Sequence, residues 1–123
     1  MQQYTLNDNN KVNITSPNFP RFYLDSATYT WMFTSSSDSQ NGSFSITFQS
    51  FRTMLYDFLI IGSGDVPDNN EILKIDGFVS PDSTIVVSER HIWMEFVTNG
   101  YLAHVGFALT VKRIGILGKK LNS

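Results

Sequence analysis

The sequence has no cysteine. That absence excludes disulfides, thiolate metal sites and cysteine nucleophiles together, and it leaves the redox compartment undecided. Charge is also scarce: 16% of the 123 residues are charged and the net charge is −2. No Lys/Arg run exceeds two residues, so the chain carries no electrostatic footprint for nucleic acid. No apolar run approaches the roughly 18 residues of a membrane span. The opening MQQYTLNDNN lacks the charged-then-apolar layout of a secretory leader, so either a leader has been removed or the chain is not exported. Histidine is limited to His91 and His104, in separate segments, and G-x-S-x-G and H-E-x-x-H are both missing. Gly62-Ser63-Gly64 has no following helix and Lys to make a phosphate cradle. These gaps leave no catalytic constellation, and the two histidines read as surface residues.

What the chain does have is apolar and aromatic material: 41% hydrophobic residues, with ten Phe, five Tyr and two Trp. That composition suits one folded domain large enough to bury a core. No segment shows a helical period; short alternating runs are separated by turn residues instead. Val12 and Ile14 suggest a first strand, and Ser16-Pro17-Asn18-Phe19-Pro20 an extended segment that cannot donate a regular ladder. Tyr29, Trp31 and Phe33 share an inward parity, as do Phe44, Ile46 and Phe48 after the Asn41-Gly42 hairpin signal. Phe58 to Ile61 is a continuous apolar run, expected to be a central strand covered on both sides. Gly62 to Glu71 reads as a solvated loop. Ile72 to Ile75, Thr84 to Val87, Ile92/Met94/Phe96 and Phe107/Leu109/Val111 supply the remaining strands. The expected architecture is an all-β, two-sheet antiparallel sandwich of eight to nine short strands over residues 11–113. Residues 1–10 are expected to form a polar N-terminal segment, and 114–123 a linker or tail.

Several of these landmarks occur in an order that resembles the CUB domain. Ile14-Thr15-Ser16-Pro17-Asn18-Phe19-Pro20 with Tyr23 is similar to its opening, and Trp31 to its strand Trp. Phe48, Phe51 and Tyr56-Asp57-Phe58-Leu59-Ile60-Ile61 are similar to its "F..F…YDYLEI" stretch. Asp76-Gly77 stands where the family has Cys-Gly, and Ile92 to Phe96 with Gly106-Phe107 resemble the closing strands. The resemblance implies a jelly-roll-like fold and a non-enzymatic extracellular binding module, secreted or part of an ectodomain.

The departures bear on function. Cysteines that the resemblance implies fall on Tyr29, Met54 and Asp76, so the aromatic core must compensate. The resemblance also implies calcium ligands, of which Tyr23 and Asp57 match; the Glu has no counterpart and the second Asp is Asn99. One carboxylate beside the cation Arg52 is a poor set for an ion that wants six to eight oxygens. No cofactor is therefore expected, and Asp57 is expected to pair with Arg52 or to cap loop N–H groups. If calcium binds at all, Tyr23, Asp57 and Asn99 would be its ligands.

The expected binding rim is the loop end with Tyr23, Arg52, Met54, Leu55, Asp57, Asn99, Tyr101 and Leu102, where apolar residues and an arginine suit a protein contact. The partner class is another protein, extracellular matrix or a cell-surface component; nucleic acid and direct membrane insertion are not expected. Two alternatives stay open. A glycan could stack on Tyr101 beside Asn99, or the chain could be a self-associating unit of a larger extracellular assembly. Trp93 has the opposite parity to Ile92/Met94/Phe96, which makes it either core of a covered outer face or contact surface. The sequons at Asn13 and Asn41 are no more than such a composition supplies by chance, and they lend slight support to secretion.

Overall fold

The computed structural model describes residues 1–24, 27–36, 42–67, 70–100 and 102–115. Among the described residues there are nine strands: β1 (Gln2–Leu6), β2 (Lys11–Thr15), β3 (Thr28–Ser35), β4 (Ser43–Arg52), β5 (Phe58–Ser63), β6 (Glu71–Ile75), β7 (Ser83–Val87), β8 (His91–Val97) and β9 (Gly106–Ile114). They form one sheet in the order β1-β3-β8-β5-β6 and another in the order β2-β9-β4-β7. Among the described residues no helix is long and apolar enough to cross a membrane.

The period-two pattern translates into a shared core between the sheets. Phe44, Ile46 and Phe48 on β4, Leu109 and Val111 on β9, and Ile92, Met94 and Phe96 on β8 are all buried in one cluster. Phe107 sits at its centre: its ring meets Phe96 at 5.1 Å and Trp31 and Phe51 at 5.9 Å each. Tyr23 packs edge-on against Phe96 at 4.9 Å, which draws the segment after Pro20 onto the core.

Two details differ from the sequence reading. Residues 2–6 are not a free polar segment: they form edge strand β1, which pairs in parallel with β3 through Gln2↔Trp31 to Leu6↔Ser35. Only Leu6 in that stretch is buried and Tyr4 half-buried, so a polar sequence gains its order from the β3 ladder and a 5.4 Å Tyr4–Phe33 ring contact. Second, β5 is not covered on both sides: Leu59 and Ile61 are buried, whereas Phe58 and Ile60 are half-buried on the outer face. Of the two places open to Trp93 in the sequence, core of a covered outer face is the one seen, at 2% exposure. It lies flat on β5, where a Cβ on Gly62 would come within 2.2 Å of its ring, and its Nε1–H donates to the Ser63 carbonyl at 3.2 Å. Glycine at position 62 is what lets the indole approach the sheet so closely.

Candidate functional site

The strand registers bring four connections to the same end of the sandwich. Arg52 pairs with Gly106, Phe58 with Val97, Val97 with Thr28, and Leu59 with Ile75. The β2–β3, β4–β5, β6–β7 and β8–β9 loops are therefore neighbours.

Beneath them lies a buried polar cluster. Asp57 is fully buried and Tyr23 is 2% exposed. The Tyr23 hydroxyl donates to Asp57 Oδ2 at 2.5 Å, and the Asn99 N–H donates to Asp57 Oδ1 at 2.8 Å. The same Tyr23 oxygen accepts the Met54 N–H at 3.1 Å, and the Tyr23 N–H donates to the His104 carbonyl at 3.1 Å. One carboxylate and one phenol thus bind the β2–β3, β4–β5 and β8–β9 loops together. Of the two roles open to Asp57 in the sequence, capping of loop donors is the one seen; the Arg52 guanidinium lies instead over the Phe78 ring, 4.6 Å from its centroid.

The fourth loop is tied in by threonine. The Thr53 N–H donates to the Gly77 carbonyl at 2.8 Å, and Thr53 Oγ1 accepts the Gly77 N–H while donating to the Asp57 carbonyl, each at 2.9 Å. Asp76 Oδ2 accepts the Tyr56 N–H at 2.8 Å. These hydrogen bonds join the two loops whose residues Met54 and Asp76 occupy positions where the resemblance implies cysteine.

Burial, and second the hydrogen bond donated to the Asp57 carboxylate, hold the Tyr23 phenol far above the usual tyrosine range. The native state therefore keeps this proton at pH values where the unfolded chain releases it, above about 10. With more protons bound to the native than to the unfolded state, stability falls as pH rises there, by up to about 1.4 kcal/mol per pH unit. Urea denaturation across that range should show a shallower alkaline decline for Tyr23→Phe than for the wild type. Parallel declines would mean that the phenol is not held protonated by the fold.

The loops at this end also expose large apolar side chains. Leu55 is 66% exposed, Tyr56 69%, Phe78 55% and Leu102 57%; Phe22 and Leu24 are likewise exposed on the β2–β3 loop. Tyr56 has φ +70°, an uncommon conformation for a bulky residue. Its N–H bond to Asp76 holds it there, with the ring 6.4 Å from that of Phe58. The predicted rim residues thus separate into two groups. Tyr23 and Asp57 are internal and Met54 half-buried, whereas Arg52, Leu55, Asn99 and Leu102 face solvent. Tyr101 and Asn41 lie outside the described residues. Tyr56 and Phe78 were missed as surface residues, although an aromatic next to a turn pair such as Asp76-Gly77 was a signal. Asn13 is exposed on β2 and accepts a hydrogen bond from Thr110 Oγ1 at 2.8 Å.

The arrangement offers calcium a thin donor set. Both Asp57 oxygens already accept close donors, and among the described residues no three His, Cys, Asp or Glu side chains cluster.

Comparison with known proteins agrees with the fold. The CUB domain family model matches residues 3–111. Human Tolloid-like protein 2 is 31% identical over 100 residues, 77% of this chain and 10% of that protein. Bone morphogenetic protein 1 of Xenopus laevis is 31% identical over 78% of this chain and 14% of its own length. The chain therefore spans only a small part of these relatives. Among solved structures, the CUB1-EGF-CUB2 region of human MASP-1/3 superposes with a TM-score of 0.73 at 18% identity, over 90% of this chain and 40% of that one. The MASP-1 CUB2 domain, solved bound to Ca2+, gives 0.69 at 18% identity over 86% of this chain and 96% of that one.

Proposed function

This chain belongs to the CUB domain family, whose members are protein–protein interaction modules of extracellular proteins, and from that premise we propose that it binds a protein partner through its loop end, without calcium and without catalysis. The observation that carries the reading is the exposed set Leu55, Tyr56, Phe78 and Leu102, set above a buried hydrogen-bonded cluster that fixes the loops carrying it. Large apolar side chains on rigid loops bind with little loss of conformational freedom, and Tyr and Arg are the residue types that dominate such contacts. Arg52, held against Phe78, adds an oriented donor at the rim. Tyr23 and Asp57 act in this reading by holding the loops in place, Met54 supports them from its half-buried position, and Asn99 contributes through its main chain. The partner is an extracellular matrix or cell-surface protein, and the chain acts as one module of a larger extracellular polypeptide.

The test is binding to a panel of extracellular and matrix proteins, with the Leu55→Asp/Tyr56→Asp double variant as control, in chelator and again in calcium. A partner bound equally in both media by the wild type, and lost by a double variant that melts like the wild type, is the expected result. Binding that needs calcium, or that survives the double variant, would overturn the reading. Glycan-array binding would favour the carbohydrate alternative, and concentration-dependent sedimentation of the chain alone would favour self-association.

A further inference from the structure

We propose that Asn99 is a site of spontaneous succinimide chemistry, whose products put a negative charge on the residue whose main chain caps Asp57 and loosen the loop end. Asn99 is exposed and is followed by Gly100, which has φ +80°. With no side chain on residue 100, its amide nitrogen can approach the Asn99 side-chain carbonyl carbon without steric obstruction. The step needs no partner but water. The Gly100 nitrogen loses its proton and bonds to Asn99 Cγ, the Cγ–Nδ2 bond breaks, and Nδ2 leaves as ammonia carrying that proton. Water then adds to one of the two carbonyls of the five-membered imide. Opening one way leaves aspartate and the other way isoaspartate, with no change of oxidation state.

The surroundings give this reaction a consequence. The main-chain N–H of residue 99 donates to Asp57 Oδ1 at 2.8 Å, and Asp57 is fully buried. A negative charge created on residue 99 is added to the very residue whose main chain caps a buried carboxylate, and like charges repel. Isoaspartate also inserts a carbon into the main chain between residues 99 and 100, inside the loop that this bond anchors. Both products act against the tie between the β4–β5 and β8–β9 loops. The other Asn-Gly pair, Asn41-Gly42, provides a comparison of the same dipeptide elsewhere in the chain. The inference rests on the exposed Asn99-Gly100 pair and its bond to the buried cluster, and stands whichever partner the loop end takes.

The experiment ages the purified protein at mildly alkaline pH, native and in urea, and maps its peptides by mass spectrometry, with enzymatic methylation of isoaspartate as the probe. The expected result is conversion of Asn99 in the native protein, well ahead of Asn13, whose next residue is isoleucine. The Asn99→Asp variant should melt several degrees below the wild type, whereas Asn99→Gln, which cyclises far more slowly, should neither convert nor lose the main-chain bond. Native protein that keeps Asn99 intact while the urea-treated chain converts it would overturn the proposal. So would an Asn99→Asp variant that melts with the wild type.

Discussion

Replacing Asp57 with alanine should lower the stability of the domain by about 3–5 kcal/mol, enough to shift its thermal midpoint by more than about 10 °C. The size follows from what the carboxylate leaves behind. The Tyr23 hydroxyl and the Asn99 N–H both lose their acceptor. A buried donor left unsatisfied costs about 1–3 kcal/mol, and bonds to a charged acceptor lie at the upper end of the hydrogen-bond range. Tyr23 is also the acceptor for the Met54 N–H, so a phenol that reorients carries a second bond with it. Asp57→Asn keeps the shape and one acceptor oxygen while presenting an NH2 group to one of the donors, and should lose less than alanine does. Urea denaturation of the two variants beside the wild type measures both numbers. An alanine variant within about 1 kcal/mol of the wild type would mean that water takes over both donors and that the cluster does not hold the loops.

Much of the sandwich was legible because burial imposes a period on sequence. The sets Trp31/Phe33, Phe44/Ile46/Phe48 and Ile92/Met94/Phe96 each face the core as their alternation indicates. β1 was not legible, because Gln2-Gln3-Tyr4-Thr5-Leu6 has too few apolar residues to show a period. Its order comes from a parallel ladder with residues some thirty positions away. Phe58 to Ile61 misled in the opposite sense: four apolar residues in a row suggest two covered faces, yet half of the run packs outward, with Lys74 Nζ 4.3 Å from the Phe58 ring centroid. At the loop end, chemistry was easier to read than geometry. Tyr23 and Asp57 could be recognised as a pair only through the family resemblance, since they are 34 residues apart. Nothing in the sequence decided whether Arg52 would turn to Asp57 or to Phe78, because that choice depends on the bridge between residues 52 and 78. The same holds for Thr53 and Gly77, whose reciprocal bonds depend on how the β6–β7 loop returns to β4.

The remaining question is how a domain without disulfides stays folded, and Phe107 provides the most direct test. Phe107→Ala should lose about 3–5 kcal/mol, because the cost combines lost burial with a cavity that β-sheet neighbours cannot close. The ring is fully buried and touches Phe96, Phe51 and Trp31, which come from both sheets. Its removal therefore breaks contacts within and between the layers at once. Aromatic pairs contribute about 0.5–1.5 kcal/mol beyond their buried area, so three such pairs add roughly the stabilisation of one disulfide. The two mechanisms act on different states: a disulfide chiefly restricts the unfolded chain, whereas ring contacts act only in the native state. Losses at Phe107 are thus not buffered by any covalent restraint on the unfolded chain. Phe107→Leu, which keeps most of the volume but no ring, separates the two contributions and should lose less than alanine does. Val86→Ala, at a position 60% exposed on β7, should stay within about 0.5 kcal/mol and serves as the surface reference. If the alanine variant at 107 lost no more than the one at 86, the aromatic cluster could not be what replaces the cross-links. The polar ties between Thr53, Gly77, Tyr56 and Asp76 would then have to carry that role.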